Sequence, residues 1–192
     1  MTTQSIIPQL VQRALELAGK NNFAQSCTYE VGKFLQISSG LKRKARIAEI
    51  GTGYGVGSAW ILSGMSLDSS LITIDHDQEQ IELVRTIFIN HKIEILQGDW
   101  KSILPYGPFD FVFIDIKEAK FIEADLVIDA VNLDGIIILD DFTPMEHWPE
   151  AWKGKPDLVR EKWLKDARLL CMEVRTSEKS SILFARKVKQ NL

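Results

Sequence analysis

At 192 residues the chain is long enough to bury a sizeable core and most simply forms one domain, residues 1–192. Its apolar fraction of 45% and charged fraction of 26% are ordinary for a globular protein, and a formal charge of −3 gives no electrostatic pull toward nucleic acid or an anionic membrane. No apolar run approaches a membrane span, the start Met1-Thr2-Thr3-Gln4-Ser5 lacks a signal peptide's basic start and apolar stretch, and Cys27 and Cys171, distant and without metal spacing, read as reduced cysteines of a cytoplasmic protein.

Residues 5–20 predict a helix, with Ile6, Ile7, Leu10, Val11, Ala14, Leu15 and Leu17 broadly on one side and Pro8 in the first turn. A second helix is expected over 28–38, closed by Ser39-Gly40, with Lys42-Arg43-Lys44 a solvated link. From Arg46 the pattern alternates strand and helix. Strands are expected at 46–50, 71–75, 92–97, 109–115 and 135–140, with helices at 57–66, 77–89 and 119–131 between them. A Pro- and Trp-rich loop leads to a helix near 156–166, with Pro156 in its first turn. Strands 168–175 and 181–187, joined by Thr176-Ser177-Glu178-Lys179, read as a closing hairpin. Repeated β-α units imply a mostly parallel sheet covered on both faces, an α/β, Rossmann-like fold.

The sharpest signal is Glu49-Ile50-Gly51-Thr52-Gly53-Tyr54-Gly55-Val56-Gly57-Ser58. An apolar strand with one acid runs into alternate glycines and then directly into an apolar helical pattern. Glycine permits unusual backbone angles and close ligand approach, and the helix start favours an anion or polar group. The dinucleotide spacing G-x-G-x-x-G fails in either register, because Val56 and Ser58 fall where its last glycine belongs. A P-loop would need a lysine before Ser58.

Glu49-x-Gly51-x-Gly53-x-Gly55 resembles instead the first motif of class I S-adenosylmethionine (SAM)-dependent methyltransferases. More narrowly, it is similar to the small O-methyltransferases that include the catechol and caffeoyl-CoA enzymes. The resemblance runs from about Thr28 to the closing hairpin. It implies a seven-stranded sheet with an antiparallel last strand, a helical cap at 1–40 and a Rossmann-like core at 45–192. It implies SAM as cofactor through Glu49, Gly51, Gly53, Tyr54, Gly55 and Ser58. Thr28-Tyr29-Glu30-Val31-Gly32 resembles the family segment near the methionine part of SAM, which makes Glu30 a candidate contact. Helix packing is the other reading of Gly32.

Ligands in open α/β sheets bind beyond the carboxyl ends of the strands, and acids recur there in this sequence. Asp75, with His76 beside it, ends the second strand and can accept from ribose hydroxyls. Asp75 or Asp77 could also cap the next helix. Gly98, Asp99 and Trp100 follow the third strand and suit adenine, with an N-cap and core packing as the alternatives for the last two. Asp115, Asp140 and Asp141 end strands four and five. Oxygen-only ligands suit Mg²⁺ or another divalent cation, which would acidify and orient an acceptor hydroxyl.

The metal-dependent relatives carry Asp-Asn at the second position and Asp-x-x-Lys at the first. Here the runs are Asp140-Asp141 and Asp115-Ile116-Lys117-Glu118-Ala119-Lys120. Neither lysine matches, and Lys117 stands as the candidate for that role. Methyltransferases without metal also carry an acid at the position of Asp115. His147, on the loop after strand five, is an alternative base, or a surface residue beside Trp148 and Trp152. The expected activity is methyl transfer to a hydroxyl oxygen of a small molecule, with a homodimer in keeping with relatives of this size. N-methylation, a macromolecular acceptor and a non-catalytic SAM-binding protein remain alternatives.

Overall fold

The computed structural model describes residues 7–189. Seven strands form one sheet in the order β3-β2-β1-β4-β5-β7-β6. They are β1 (Arg46–Ile50), β2 (Ser70–Asp75), β3 (Ile93–Gln97), β4 (Phe109–Ile114), β5 (Val131–Phe142), β6 (Leu169–Arg175) and β7 (Ser181–Lys187). The first five are parallel, and β7 inserts antiparallel between β5 and β6. Residues 5 and 6 of the expected first helix lie outside the described residues. No helix among the described residues is long and apolar enough to cross a membrane.

Each buried strand sends alternate side chains to opposite faces, so one apolar run serves two cores. On β4, Phe111 and Phe113 pack beneath α1 (Gln9–Lys20), α2 (Tyr29–Gly40), α3 (Val56–Gly64) and α4 (Gln78–Phe88). Val112 and Ile114 pack on the other face with α5 (Lys117–Phe121), α6 (Ala124–Asp129) and α7 (Leu158–Lys165).

Pro8 is the N-cap of α1 rather than a residue of its first turn, and α7 starts at Leu158, capped by Asp157, beyond Pro156. The helix expected over 119–131 is two short ones. The break falls at Ile122 and Glu123, where the Glu123 carboxylate accepts from Trp100 Nε1 at 2.8 Å and Lys101 Nζ at 2.9 Å.

Glycines set how closely α2 and α3 approach. A Cβ on Gly32 would fall 2.2 Å from Trp60 Nε1, so packing of α2 on α3 accounts for that residue. A Cβ on Gly64 would fall 1.8 Å from the Gln36 carbonyl oxygen, a backbone atom that cannot swing aside. Gly64→Ala is therefore expected to lower unfolding free energy by about 2 kcal/mol, through forced separation of the two helices. Chemical denaturation reads this, and an unchanged midpoint would mean the crossing is looser than described.

Candidate active site

The glycine turn stands at the carboxyl end of β1. Gly51, Gly53 and Gly55 have φ of +105°, +50° and +79°, the region where a Cβ is strained, which is why the alternate positions are glycine. Gly51 N–H donates to the Ile74 carbonyl at 3.0 Å. Gly53 N–H donates to Asp75 Oδ2 at 2.9 Å. Asp77 caps α4 by accepting from Gln80 N–H at 3.0 Å, which releases Asp75 from that duty. His76 Nδ1 lies 3.2 Å from Asp75 Oδ1 on a side chain that is otherwise exposed.

Glu49 lies buried beneath the turn. Its Oε2 accepts from Thr73 Oγ1 at 2.7 Å and from the Ser58 hydroxyl, and Gly57 has no room for a Cβ against Oε1. Ser58 is itself fully buried, so it acts on Glu49 and does not face the cleft. Burial pushes the Glu49 carboxyl up to about 7, against the pull of the Ser58 and Thr73 hydroxyls. A raised pKa means the folded state binds the proton that the unfolded state has released. The Glu49 contribution to stability therefore falls as pH rises from 4.5 to about 7. In Glu49→Gln that contribution, at most about 1.4 kcal/mol per pH unit, is expected to vanish. Denaturation at stepped pH reads it. Asp115 and Asp140 add slope of the same sign, so the variant flattens the profile without abolishing it.

One cleft joins this turn to the acids. Gly51, Gly53, Asp75, His76, Asp115, Lys117, Lys120 and Asp141 line it, with Phe23 and Gln25. A smaller pocket beside it adds Ser26, Cys27, Glu49, Thr52, Tyr54 and Phe113. The cap thus reaches the site through the α1–α2 connector, whose Phe23 ring lies 5.0 Å from that of Tyr54. The helices themselves pack on α3. The connector has no periodicity, and its contribution had no sequence signal. Cys27 sits there with its thiol pushed up by burial and by Asp140 and Glu49.

Asp115, Asp140 and Asp141 each offer an oxygen within 4.8 Å of the others. Consecutive strand residues point to opposite faces, so two neighbouring acids would not ordinarily converge. A bulge resolves this: Leu139 pairs with Leu183 but Phe142 with Ser181, and Asp141 takes φ +62°. Asp141 N–H donates to Asp140 Oδ1 at 2.8 Å, while Asp115 Oδ1 is buried with no hydrogen-bond partner among the described residues. Burial raises Asp115 to about 8 even with Lys120 pulling it down, and Asp140, Asp141 and Glu49 add to the rise. Burial and Asp141 raise Asp140 to about 6. An orphaned acceptor among oxygen-only donors fits a hard divalent cation.

The lysine at this cluster is Lys120. Its Nζ donates to the Asp140 carbonyl oxygen at 2.7 Å and lies 3.7 Å from Asp115 Oδ1. Lys117 is exposed at the rim of the cleft. Glu30, Gly98, Asp99, Trp100 and His147 do not line the cleft. Asp99 caps a 3₁₀ turn through Lys101 N–H at 2.8 Å, and the Trp100 indole is a buried core residue donating to Glu123. Thr28 caps α2, leaving Glu30 exposed in its first turn. His147 ends a 3₁₀ turn beyond β5.

Residues 48–142 match a family described as a methyltransferase domain. A protein of Mycobacterium avium (strain 104), provisionally named an O-methyltransferase, is 33% identical over 127 residues, 60% of this chain and 56% of that protein. The chain spans about half the length of the curated relatives it matches. Among solved structures, an O-methyltransferase from Bacillus cereus in complex with S-adenosylhomocysteine (SAH) superposes with a TM-score of 0.80 at 19% identity, covering 96% of this chain and 93% of that one. TomG of Streptomyces achromogenes, an O-methyltransferase of tomaymycin synthesis solved with SAM, gives 0.80 at 19% identity over 98% and 93%. These two likenesses are of fold.

Proposed function

We propose, for a chain that belongs to the class I methyltransferases by fold and by the sequence of residues 48–142, that it transfers a methyl group from SAM to a hydroxyl oxygen of a small molecule. The observation that carries this is a single cleft holding both the glycine turn with Asp75 and the acids Asp115 and Asp141. SAM supplies an already activated methyl on a sulfonium, so the protein need only align a nucleophile and exclude water.

Asp75 would take the ribose hydroxyls on oxygen lone pairs left over from its bonds to Gly53 N–H and Asp77 N–H. The left-handed glycines let the cofactor approach the main chain, and Phe23, Gln25, Ser26 and Cys27 close over it. Ser26 Oγ is buried without a hydrogen-bond partner among the described residues and is available to a ligand. Asp115, Asp140 and Asp141 would hold a divalent cation such as Mg²⁺, which when bound acidifies a hydroxyl placed against it. The Asp115 carboxylate faces both parts of the cleft and would orient the acceptor between cofactor and cluster. A cytoplasmic enzyme acting on a small, hydroxylated aromatic acceptor completes the reading. Residues 1–192 act in it as one domain, with homodimerisation open to sedimentation analysis.

Calorimetric titration with SAH, with Mg²⁺ and with a chelator, tests it first. Micromolar binding is the expected result, followed by transfer of labelled methyl to a hydroxylated compound in a panel. No heat with SAH in a folded sample would remove the basis of the proposal.

A further inference from the structure

The acid cluster already contains a cation of its own. Lys120 is only 5% exposed, on the short helix α5, and its ammonium is directed at β5. Trp163, fully buried, donates from Nε1 to the Lys120 carbonyl at 2.9 Å and fixes the residue's backbone. One ammonium proton goes to the Asp140 carbonyl at 2.7 Å, and Asp115 Oδ1 lies 3.7 Å away, an ion contact too long for a hydrogen bond. A buried charge persists where it is paired, and Asp115 provides the pairing, in a cluster whose three carboxylates lie within 4.8 Å of one another.

We propose that Lys120 is the resident counter-cation of the Asp115, Asp140 and Asp141 carboxylates and competes with divalent metal ions for them. A divalent ion bound to Asp115 Oδ1 would sit about 2.1 Å from it, and so no more than about 6 Å from Lys120 Nζ, which is 3.7 Å from the same oxygen. Two like-signed cations that close, in a partly desolvated site, repel strongly. Lys120 cannot retreat, because its backbone is held by Trp163 and its head by the Asp140 carbonyl. Asp115 Oδ1 keeps an open lone pair, so a metal ion can still enter, at reduced affinity. The inference deepens the proposed function at this same site and rests on those carboxylates facing a bound cation. It makes metal affinity at this site depend on one side chain to which the Asp-x-x-Lys spacing of the metal-dependent relatives does not point.

Mn²⁺ is the probe, followed by loss of the free-ion paramagnetic resonance signal on titration into the full chain. Lys120→Met is expected to bind Mn²⁺ about tenfold more tightly or better than the unmodified protein, and Lys120→Arg to stay near it. Adding Asp115→Asn to Lys120→Met should erase the gain. Equal or weaker Mn²⁺ binding by Lys120→Met overturns the proposal, as does an absence of binding in both proteins. Lys120→Gln retains a donor for the Asp140 carbonyl and reads the same loss of charge should the methionine variant unfold. SAH titration of the same samples separates the two ideas: failure to bind SAH in the unmodified protein removes the methyltransferase reading and leaves the Mn²⁺ comparison standing.

Discussion

Asp75→Ala is expected to weaken SAH binding by about 100-fold, two steps of roughly 1.4 kcal/mol each. In the proposed reading Asp75 does two jobs with one carboxylate. It accepts from Gly53 N–H at 2.9 Å, which holds the left-handed glycine turn to the end of β2, and it faces the cleft with lone pairs for a ribose. Hydrogen bonds to a charged acceptor contribute about 1.5–3 kcal/mol each, so loss of the ligand contacts alone covers most of the effect. Loosening of the Gly53 turn supplies the rest. The control is Asp77→Ala. It removes the cap on α4, worth about 1 kcal/mol of stability, and leaves the cleft lining intact. Calorimetry should show Asp77→Ala near the unmodified affinity and Asp75→Ala far from it. If both variants bind SAH alike, the ribose assignment fails and the glycine turn alone holds the cofactor.

How much of this could be read from the chain follows from which interactions are local. β1 was legible to the residue, because Ile47, Ala48 and Ile50 run straight into the Gly51 turn. The antiparallel β7 was legible from a hairpin signal, and Asp75 from its place at a strand end. The convergence of Asp140 and Asp141 was expected from adjacency of β4 and β5, but its means was not. A bulge opposite Leu183 and Ser181 has no signature in Leu139-Asp140-Asp141-Phe142.

Lys117 and Lys120 show the limit most plainly. Which lysine turns inward depends on where α5 begins and on Trp163, more than forty positions on, holding its backbone. Trp100 is similar. An indole after β3 suits adenine or a core equally, and Glu123, brought in by the break between α5 and α6, decides for the core. In each case the missing information is a contact between segments far apart in sequence.

Asp115→Asn should lower methyl transfer by about 10²–10³-fold while SAH affinity stays close to that of the unmodified protein, the magnitude expected when one preorganised group facing developing charge is lost. The substitution suits the question because Asn has the same shape. Burial raises Asp115, Lys120 offsets part of the rise and the neighbouring acids add to it, so the fold gains little from a full charge there. A neutral amide therefore does not disturb the fold, and unfolding free energy should hold or rise slightly. What the amide cannot do is present a full negative charge to a cation or to an acceptor hydroxyl losing its proton. A fall in turnover with intact SAH binding and intact stability thus isolates chemistry from cofactor binding and folding. If turnover on the same acceptor remains within about threefold of the unmodified protein, the reacting oxygen is not aligned by this carboxylate, because losing a contact that matters only in the transition state lowers kcat directly. The search would then move to the groups that line the pocket from the cap with a heteroatom, Gln25, Ser26 and Cys27.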